Sequence, residues 1–309
     1  MIPDKEEYPE LGNGWENMDI YNPGMVSWWE SQCYYHALAY LGREGILICR
    51  PAEPYVCLGL HDDLDQEIDQ EFCGSNHLPL IRRETGGGVV YLDSRQIFYQ
   101  VVLRRDNPRL PMKRDRFFAT VLQPAIDVCR SFGLEAKLAP PADIQAGRRK
   151  CSGNAAGDIG PSVAYVGNLI MGFDFELMSR ILKVPAPVYR RVFCKAMQDN
   201  MLVLADKMNS ADFNPVESGL LSGFTRIFGK LEERFIDDEL SIMATSIRDR
   251  LTSWEWLNLP GRRSRLRRLK VTEGLFLQEC DPEKQINGLI LMRDGKIEKG
   301  YAIDESPAT

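Results

Sequence analysis

Three consecutive glycines, Gly86, Gly87 and Gly88, separate two segments of the chain that have the composition of β-strands. A glycine run can adopt backbone conformations closed to other residues and lets the main chain approach a bulky ligand closely. Arg82 and Arg83 end the preceding segment, and alternation along a strand places their side chains on opposite faces. One arginine can therefore face an anion while the other is solvated or paired within the fold.

The glycine run alone is as consistent with a tight turn as with a ligand loop. It has neither the P-loop spacing nor the dinucleotide-binding fingerprint. A second segment strengthens the case for a site, because Lys150 opens a run of small residues, Lys150-Cys151-Ser152-Gly153-Asn154-Ala155. The lysine can hold a phosphate or a carboxylate while the small residues allow a second loop to close over it.

Composition excludes several classes of protein. The 309 residues include 38 basic and 44 acidic side chains, and the net charge of -6 argues against a general nucleic-acid-binding protein. No run of eighteen apolar residues predicts a membrane span, and the acidic N-terminus is unlike a secretory signal. Eight scattered cysteines without a C-x-x-C pair, beside three histidines, predict no metal site and fit a cytoplasmic protein.

Hydrophobic periodicity outlines the elements. It predicts helices over residues 29–41, 117–132, 175–182 and 240–251, and Pro124 predicts a kink or a late start in the second helix. Predicted strands cover residues 45–50, 55–60, 78–83, 96–103 and 162–173, with the glycine segment as a hairpin or an inter-strand loop. Residues 1–26 are predicted to form a lead-in loop. The composition changes after Trp256, which predicts a domain over 1–256 and a small β-rich unit over 257–309.

The pattern Arg-Arg-x-x-Gly-Gly-Gly-x-Val-x-x-Asp, followed by Lys-x-Ser-Gly-Asn-Ala, resembles the lipoate–protein ligase family. That family belongs to the wider group of lipoyl, octanoyl and biotinyl attachment enzymes. The resemblance covers roughly residues 20–256 and includes Gly59 at the end of an early strand and Asp143, seven residues before Lys150. Residues 165–170 occupy the place where the family often has His-Gly-Thr-Leu-Leu. The two motifs at this spacing are specific, although each alone is not.

The resemblance implies an α/β (α+β) fold with a mixed, curved β-sheet flanked by helices, as in biotin and lipoate ligases. It also implies an activity: ATP, with Mg²⁺, activates lipoate or octanoate as an acyl-adenylate, which a lysine of a lipoyl carrier domain then attacks. The carrier is a 2-oxoacid dehydrogenase E2 subunit, a glycine-cleavage H protein or a similar lipoyl-binding protein. The enzyme is expected to act as a monomer.

The resemblance also assigns the site. Lys150 is the implied catalytic residue, touching both the acyl carbonyl and the phosphate. The other implied binding residues are Arg83, Gly86, Gly87, Gly88, Val89, Val90, Tyr91, Asp143, Gly153 and Asn154. The chemistry is consistent with this, because a fixed cation offsets the repulsion between a carboxylate and a triphosphate. Val89, Val90, Ile97 and Phe98 either line a slot for an eight-carbon tail or are ordinary core residues.

Three positions depart from the family pattern. Val166 stands where histidine is usual, Ala142 where asparagine is frequent, and Leu60 where arginine is common. Each change removes a polar contact expected near the ligand. Two alternatives to an ATP-dependent ligase therefore stay open: a transferase that moves octanoyl or lipoyl groups between carriers without ATP, and a catalytically weak homologue that binds or assists lipoylation partners.

Other residues have two interpretations each. Cys151 is either a thioester-forming nucleophile or a small buried residue, and strand alternation favours the second if Lys150 faces the site.

A basic cluster is either a solvated linker or a docking strip for an acidic carrier; its arginines are Arg262, Arg263, Arg265, Arg267 and Arg268. Trp254 and Trp256 are predicted to pack the C-terminal unit on the main domain, and the histidines are predicted to be structural or superficial.

Overall fold

The computed structural model describes residues 16–110, 114–208, 212–280 and 288–302. Its strands are β1 (Asn17–Val26), β2 (Gly45–Pro51), β3 (Tyr55–Leu58), β4 (Leu80–Arg82), β5 (Val90–Leu92), β6 (Gln96–Arg104), β7 (Ala136–Ala139), β8 (Asp143–Ala146), β9 (Arg149–Ile159), β10 (Ser162–Ile170), β11 (Lys230–Arg234), β12 (Arg268–Thr272), β13 (Leu275–Glu279), β14 (Gly288–Arg293) and β15 (Lys296–Ala302). Its α-helices are α1 (Glu30–Leu41), α2 (Leu64–Glu67), α3 (Gln70–Ser75), α4 (Arg114–Ser131), α5 (Phe175–Ile181), α6 (Pro187–Asn200), α7 (Asn214–Phe228), α8 (Asp238–Leu251) and α9 (Trp254–Leu257).

The largest sheet of the described residues has eight strands in the order β11-β1-β2-β6-β10-β9-β8-β7. Strand β1 runs parallel to both of its neighbours, and the other pairs are antiparallel. Alternate residues of β2 divide between two apolar cores: Ile46 and Ile48 pack with α4 and α7, whereas Leu47 packs with α1 and α8. The predicted α/β fold, a mixed sheet flanked by helices, is confirmed.

A second sheet holds the glycine segment. Its order is β4-β3-β5, with β4 parallel and β5 antiparallel to the central strand β3. Because β4 and β5 do not pair with each other, the glycines form an inter-strand loop that crosses β3. They do not form a hairpin.

The C-terminal strands form an antiparallel sheet in the order β12-β13-β14-β15. This sheet agrees with the β-rich character predicted after residue 256, and a domain boundary at that point stays a prediction. Leu269, Leu275 and Leu289 of the sheet share one apolar cluster with α5, α6 and the β3 strand. The C-terminal unit is therefore packed on the glycine-loop side of the fold.

Two local predictions are wrong. Residues 17–26, expected as loop, form β1, because Met18 and Ile20 alternate into the core and pair with strands distant in sequence. Residues 1–15 of the predicted loop lie outside the described residues. Of the kink and the late start offered as alternatives for the second predicted helix, the late start is wrong, since α4 spans Arg114–Ser131 with Pro124 inside it, and the kink stays a prediction. The predicted end of the first helix at residue 41 is confirmed, because Gly42 caps α1 in the left-handed conformation with φ of 63°.

Two further expectations, those for Trp254 and Arg267, are wrong at the junction with the C-terminal unit. Trp256 packs against the apolar core of α1 and α8, and its Nε1 donates to the carbonyl of Arg82 at 2.9 Å, so its packing of the C-terminal unit on the main domain stays a prediction. Trp254 does not pack in this way, because it is 70% exposed. Arg267 is neither a solvated linker residue nor part of a docking strip, because it is buried and forms a 2.9 Å ion pair with Glu67.

Candidate functional site

A cavity of about 380 Å³ lies where the main sheet meets the glycine loop, α5, α6 and the C-terminal sheet. It brings together segments that are far apart in sequence. The predicted site residues in its walls are Arg83, Gly87, Gly88, Val89, Val90, Tyr91, Asp143, Lys150, Gly153 and Asn154. Gly86 is the one member of the predicted set outside the walls, and its carbonyl instead accepts from Arg83 at 2.7 Å.

Lys150 is held by a carboxylate inside this cavity. Its Nζ lies 2.8 Å from Oδ1 of Asp143, and the side chains are 18% and 3% exposed, respectively. The second carboxylate oxygen, Oδ2, accepts the backbone N–H of Glu273 at 2.7 Å. The same carboxylate therefore orients the lysine and binds the turn between β12 and β13.

Gly153 provides the space that the lysine side chain needs. A Cβ at this position would lie 3.2 Å from Nζ of Lys150, closer than side chains ordinarily pack. The N–H of Gly153 donates to Oδ1 of Asn168 at 3.0 Å, and Nδ2 of Asn168 donates to Oε1 of Gln96 at 2.5 Å. Sequence reasoning missed Asn168 and Gln96 as cavity residues. Alternation along β10, which places Asn168 on one face with Val166, is the signal that could have found them.

The side chain of Asn154 anchors strands. Its Oδ1 accepts from the hydroxyl of Tyr99 at 2.5 Å, and its Nδ2 donates to the carbonyl of Ala142 at 2.6 Å. Tyr99 belongs to the core beneath the sheet, so the amide of Asn154 is directed away from the face that carries Lys150. Ala142 contributes a backbone acceptor where the family often has an asparagine side chain.

The glycine loop is held from within by Arg83. Its guanidinium donates to the carbonyls of Gly86 at 2.7 Å, Gly88 at 3.0 Å and Cys57 at 3.2 Å. Gly87 has a positive φ of 93°, which favours glycine there. The cation therefore fixes the shape of the loop as well as lining the cavity.

Arg82 points to the other side of its strand, as predicted. It is fully buried and donates to the carbonyls of Asp62 at 2.6 Å and Leu257 at 2.5 Å. Arg82 thus links strand β4 to the first residue of the predicted C-terminal unit, Leu257. The loop also packs on Gly59, where an added Cβ would lie 2.0 Å from the carbonyl oxygen of Gly87.

The charges around the cavity have both signs. Arg268 and Lys270 of β12 line it together with Lys150, and Asp62 and Glu67 line it as acids. Burial raises the pKa of Asp62 and that of Glu67 from their ordinary values. The cavity therefore offers an anion several cations, and its two additional acids are easier to protonate than free carboxyl groups.

Cys151 faces away from the cavity, as strand alternation predicts. It is fully buried, and its Sγ lies 3.6 Å from Sγ of Cys129 on α4 and 3.4 Å from the carbonyl oxygen of Ile144. A thiol in this position cannot reach a substrate that contacts Lys150 without a change of the strand.

Comparison with known proteins gives the family. The model of the lipoyl protein ligase A/B catalytic domain matches residues 29–225, which is more than half of the chain. The chain belongs to this family. The predicted family membership is therefore confirmed, and the protein is an enzyme of the lipoate ligase and octanoyltransferase type.

Relatives of two kinds, lipoate ligases and octanoyltransferases, are similar in sequence to this chain. Lipoate-protein ligase A subunit 1 of Thermoplasma acidophilum is 24% identical over 215 residues, covering 66% of this chain and 80% of the relative. The octanoyltransferase LipM of Geobacillus kaustophilus is 24% identical over 155 residues, covering 43% of this chain and 55% of the relative. Sequence similarity alone therefore does not separate a ligase from a transferase.

Solved structures of lipoate ligases have the same fold. The bi-partite lipoate protein ligase of Thermoplasma acidophilum, studied with its E2 lipoyl domain, gives a TM-score of 0.70 at 21% identity and covers 80% of this chain and 99% of its own. A lipoate-protein ligase A bound with ATP gives 0.64 at 22% identity, covering 78% of this chain and 98% of its own. Among the helices of the described residues, none is long and apolar enough to cross a membrane.

Proposed function

We propose that this chain is an ATP-dependent lipoate–protein ligase. It activates lipoate or octanoate as an acyl-adenylate and transfers the acyl group to a lysine of a lipoyl carrier domain. The observation that carries the proposal is the ammonium of Lys150, held 2.8 Å from Asp143 in a cavity that the glycine loop borders. The likeness of the fold to a lipoate-protein ligase A bound with ATP supports it.

Lys150 is suited to the first half-reaction. In that step a carboxylate attacks a phosphate of ATP, so two anions must approach each other. A preorganised cation between them lowers this repulsion and stabilises the charge that develops during transfer. Asp143 keeps the ammonium in place before the substrates arrive, and Gly153 leaves room for it.

The residues present fit a nucleotide. An added Cβ atom at Gly88, which lines the cavity, would meet nothing within 4 Å, so the loop backbone leaves open space there for phosphate oxygens. The described residues contain no cluster of three candidate metal ligands. A Mg²⁺ ion brought in with ATP would be held mainly by phosphate oxygens and water, which is common for this ion. Lys150 and the loop would bind the phosphates themselves.

The second half-reaction uses the same cation. The neutral amine of a carrier lysine attacks the acyl carbonyl and forms the C–N bond of the amide. The C–O bond to the phosphate breaks, AMP leaves with its electrons, and the proton lost by the amine passes to water. Lys150 stabilises the negative charge on the carbonyl oxygen as the amine adds. The proposed partner is a lipoyl domain of a 2-oxoacid dehydrogenase E2 subunit, a glycine-cleavage H protein or a similar carrier. The T. acidophilum ligase studied with its E2 lipoyl domain supports this class of partner.

The apolar part of the cavity accommodates the acyl tail. Val90 borders it from the glycine-loop sheet, and Phe98 and Val166 border it from neighbouring strands of the main sheet. Val166, where the family often has histidine, extends this apolar wall. The apolar side chain of Val166 therefore favours an alkyl chain beside the reacting carboxylate.

A transferase is the second candidate, because the octanoyltransferase LipM is among the relatives. A transferase of the thioester type needs a nucleophilic thiol at the site, and Cys151 lies on the opposite face of β9 from Lys150. That orientation argues against a transferase that uses Cys151 as its nucleophile. The third possibility, a catalytically weak homologue that binds or assists lipoylation partners, predicts no acyl transfer at all.

Pyrophosphate release distinguishes the three. The ligase releases pyrophosphate from ATP when lipoate or octanoate is the only other substrate. The transferase releases none, but it moves the octanoyl group from an acylated carrier to an apo lipoyl domain without ATP. The binding homologue does neither, although it still binds the lipoyl domain. The absence of pyrophosphate with both acids would contradict our proposal.

A further inference from the structure

Two side-chain amides that line the cavity form a series of hydrogen bonds with one direction. The N–H of Gly153 donates to Oδ1 of Asn168 at 3.0 Å, and Nδ2 of Asn168 donates to Oε1 of Gln96 at 2.5 Å. Nε2 of Gln96 then donates to the carbonyl of Tyr91 at 3.2 Å. The first group can only donate and the last can only accept, which determines the orientation of both amides.

The NH₂ group of Asn168 has a second hydrogen that is available to a ligand. Among the described residues only Gln96 accepts from Nδ2. Strand β10 lies between β6 and β9 and pairs with both at Asn168, so the backbone of this residue is covered. Asn168 is nevertheless only half-buried, so its accessible surface belongs to the side chain that lines the cavity.

The same amide lies where the polar and apolar parts of the cavity meet. An added Cβ on Gly153, opposite Asn168 on β9, would lie 3.2 Å from Nζ of Lys150 and 3.4 Å from Oδ1 of Asn168. The two side chains are therefore close enough for one ligand oxygen to contact both. On its other side Asn168 pairs with Phe98, and Val166 lies two residues along β10 on the same face. A carboxylate at Lys150 and Asn168 thus has its alkyl chain beside the apolar wall.

We propose that Asn168 is a catalytic residue whose second Nδ2 hydrogen donates to the acyl oxygen that Lys150 also contacts. In adenylation the two donors hold one oxygen of the carboxylate while the other oxygen attacks the phosphate. In the transfer step they together stabilise the negative charge that forms on the held oxygen as the carrier amine adds. This inference rests on the proposed function, since it takes the cavity to bind the acyl substrate.

A neutral amide complements the lysine for a physical reason. Hydrogen bonds on both sides hold Asn168 in place before the substrate arrives, so little reorganisation is needed during the reaction. The amide supplies a donor without a second positive charge, so it does not compete with Lys150 for the carboxylate of Asp143. It also places a polar group on the face of β10 where Val166 has none.

Two variants of the same shape test this role. Asn168→Val removes the donor, whereas Asn168→Thr keeps a hydroxyl on a side chain shaped like valine. Pyrophosphate release from ATP is measured with the full chain at varied octanoate. We expect Asn168→Val to lower kcat/KM for octanoate by about 10- to 100-fold, the range for a lost hydrogen bond to a charged group, and Asn168→Thr to exceed it by at least about fivefold. Asn76→Val, at an exposed asparagine after α3, is the matched control and should equal the wild type.

The KM for ATP separates a donor from a purely structural residue. If Asn168 acted only by positioning Gly153 and, through it, Lys150, its loss would weaken both substrates, because Lys150 is proposed to bind phosphate. We expect the KM for ATP to stay unchanged in both variants. Transfer from isolated octanoyl-AMP to an apo lipoyl domain should slow by about 10²- to 10³-fold in Asn168→Val, since a donor to the developing charge is lost.

Equal values of kcat/KM for octanoate in the wild type and in Asn168→Val would overturn the inference. Equal losses in the valine and threonine variants would also overturn it, as would a KM for ATP that rises together with that for octanoate, because each result would mean that the amide only holds Gly153. If Asn168→Val does not fold, Asn168→Ala and Asn168→Ser give the same comparison without a branched side chain.

Failure of the underlying function gives a different result. In that case the wild type itself releases no pyrophosphate with octanoate or lipoate, which contradicts the proposed function and this inference together. If the wild type releases pyrophosphate and Asn168→Val does so equally well, the ligase function stands and the role of Asn168 is wrong.

Discussion

Asp143 and Lys150 form a 2.8 Å ion pair between adjacent antiparallel strands, with the carboxylate buried and the ammonium partly open to the cavity. The other carboxylate oxygen is occupied by the backbone N–H of Glu273 from the C-terminal sheet. The lysine is therefore preorganised by a residue that also contacts a distant part of the chain. Substitution of either residue should therefore lower the reaction rate more than it lowers the free energy of unfolding.

Replacement of the lysine tests the proposed chemistry directly. We expect Lys150→Ala to reduce acyl-adenylate formation by about 10²- to 10³-fold, because the cation that offsets the repulsion between two anions is lost. The measurement is pyrophosphate release from ATP with lipoate. Lys195→Ala, which removes an exposed lysine paired with Asp199 at 2.7 Å, is the matched control and should keep wild-type activity. Near wild-type adenylation by Lys150→Ala would contradict the assignment.

A methyl group at Gly153 should interfere with the lysine without unfolding the protein. The added Cβ would lie 3.2 Å from Nζ of Lys150, so the ammonium must shift from its place 2.8 Å from Asp143 Oδ1. We expect Gly153→Ala to lower the rate of adenylation by at least about tenfold, since a displaced charge stabilises the transition state less well. Gly74→Ala is the control, because a Cβ there meets nothing within 4 Å. Equal rates for the two variants would show that the lysine tolerates displacement.

The thiol of Cys151 should be dispensable for activity. Because its Sγ is in the core near Cys129, we expect Cys151→Ser to retain both pyrophosphate release and acyl transfer. Stability should fall by about 1–3 kcal/mol, as a hydroxyl replaces a thiol in an apolar environment. Activity assays and urea unfolding measure the two effects separately. A variant that folds but loses all acyl transfer would establish a cysteine-dependent transferase instead.

Stability should depend on pH through His36. This histidine is fully buried, its Nε2 accepts the backbone N–H of Glu84 at 3.2 Å, and burial lowers its pKa from 6.5 to about 4. Between pH 4 and pH 6.5 the unfolded state binds a proton on His36 more readily than the folded state does. The contribution of neutral His36 to the free energy of unfolding is therefore complete above pH 6.5 and is lost as the pH falls towards 4. The difference between the two pKa values corresponds to about 3 kcal/mol in the free energy of unfolding.

Chemical denaturation across this pH range measures the effect. We expect His36→Gln to remove this part of the pH dependence, whereas His61→Gln, at an exposed position, should keep it. Parallel pH profiles for the wild type and His36→Gln would mean that His36 remains neutral in both states or titrates equally in both.

Much of the site was predictable because its signals are local. The glycine triplet, the adjacent Arg82 and Arg83 with side chains on opposite sides of the chain, and the lysine followed by small residues can each be recognised within a short segment. Alternation along β9 also predicted that Cys151 faces away from Lys150, and the structure agrees. A side chain's face on a strand depends on its neighbours in sequence, so such features need no knowledge of the fold.

Other features depended on partners that no local pattern identifies. The acceptors of Arg83 are carbonyls of the loop and of β3, the amide of Asn154 is bound by Tyr99 and Ala142, and Gln100 meets Ser31 of a distant helix. Strand β1 was missed because parallel pairing with two remote strands outweighs its turn-forming residues.

The sequence by itself determined the family, the mixed sheet flanked by helices and two of the segments that border the cavity, the glycine loop and the Lys150 strand. Only the tertiary structure decided that Asp143 binds both Lys150 and Glu273, which is 130 residues away in sequence. It also decided that the C-terminal sheet contributes Arg268 and Lys270 to the cavity wall. The physical reason is that buried polar groups must find hydrogen-bond partners in space, and packing between distant segments determines which partners are within reach.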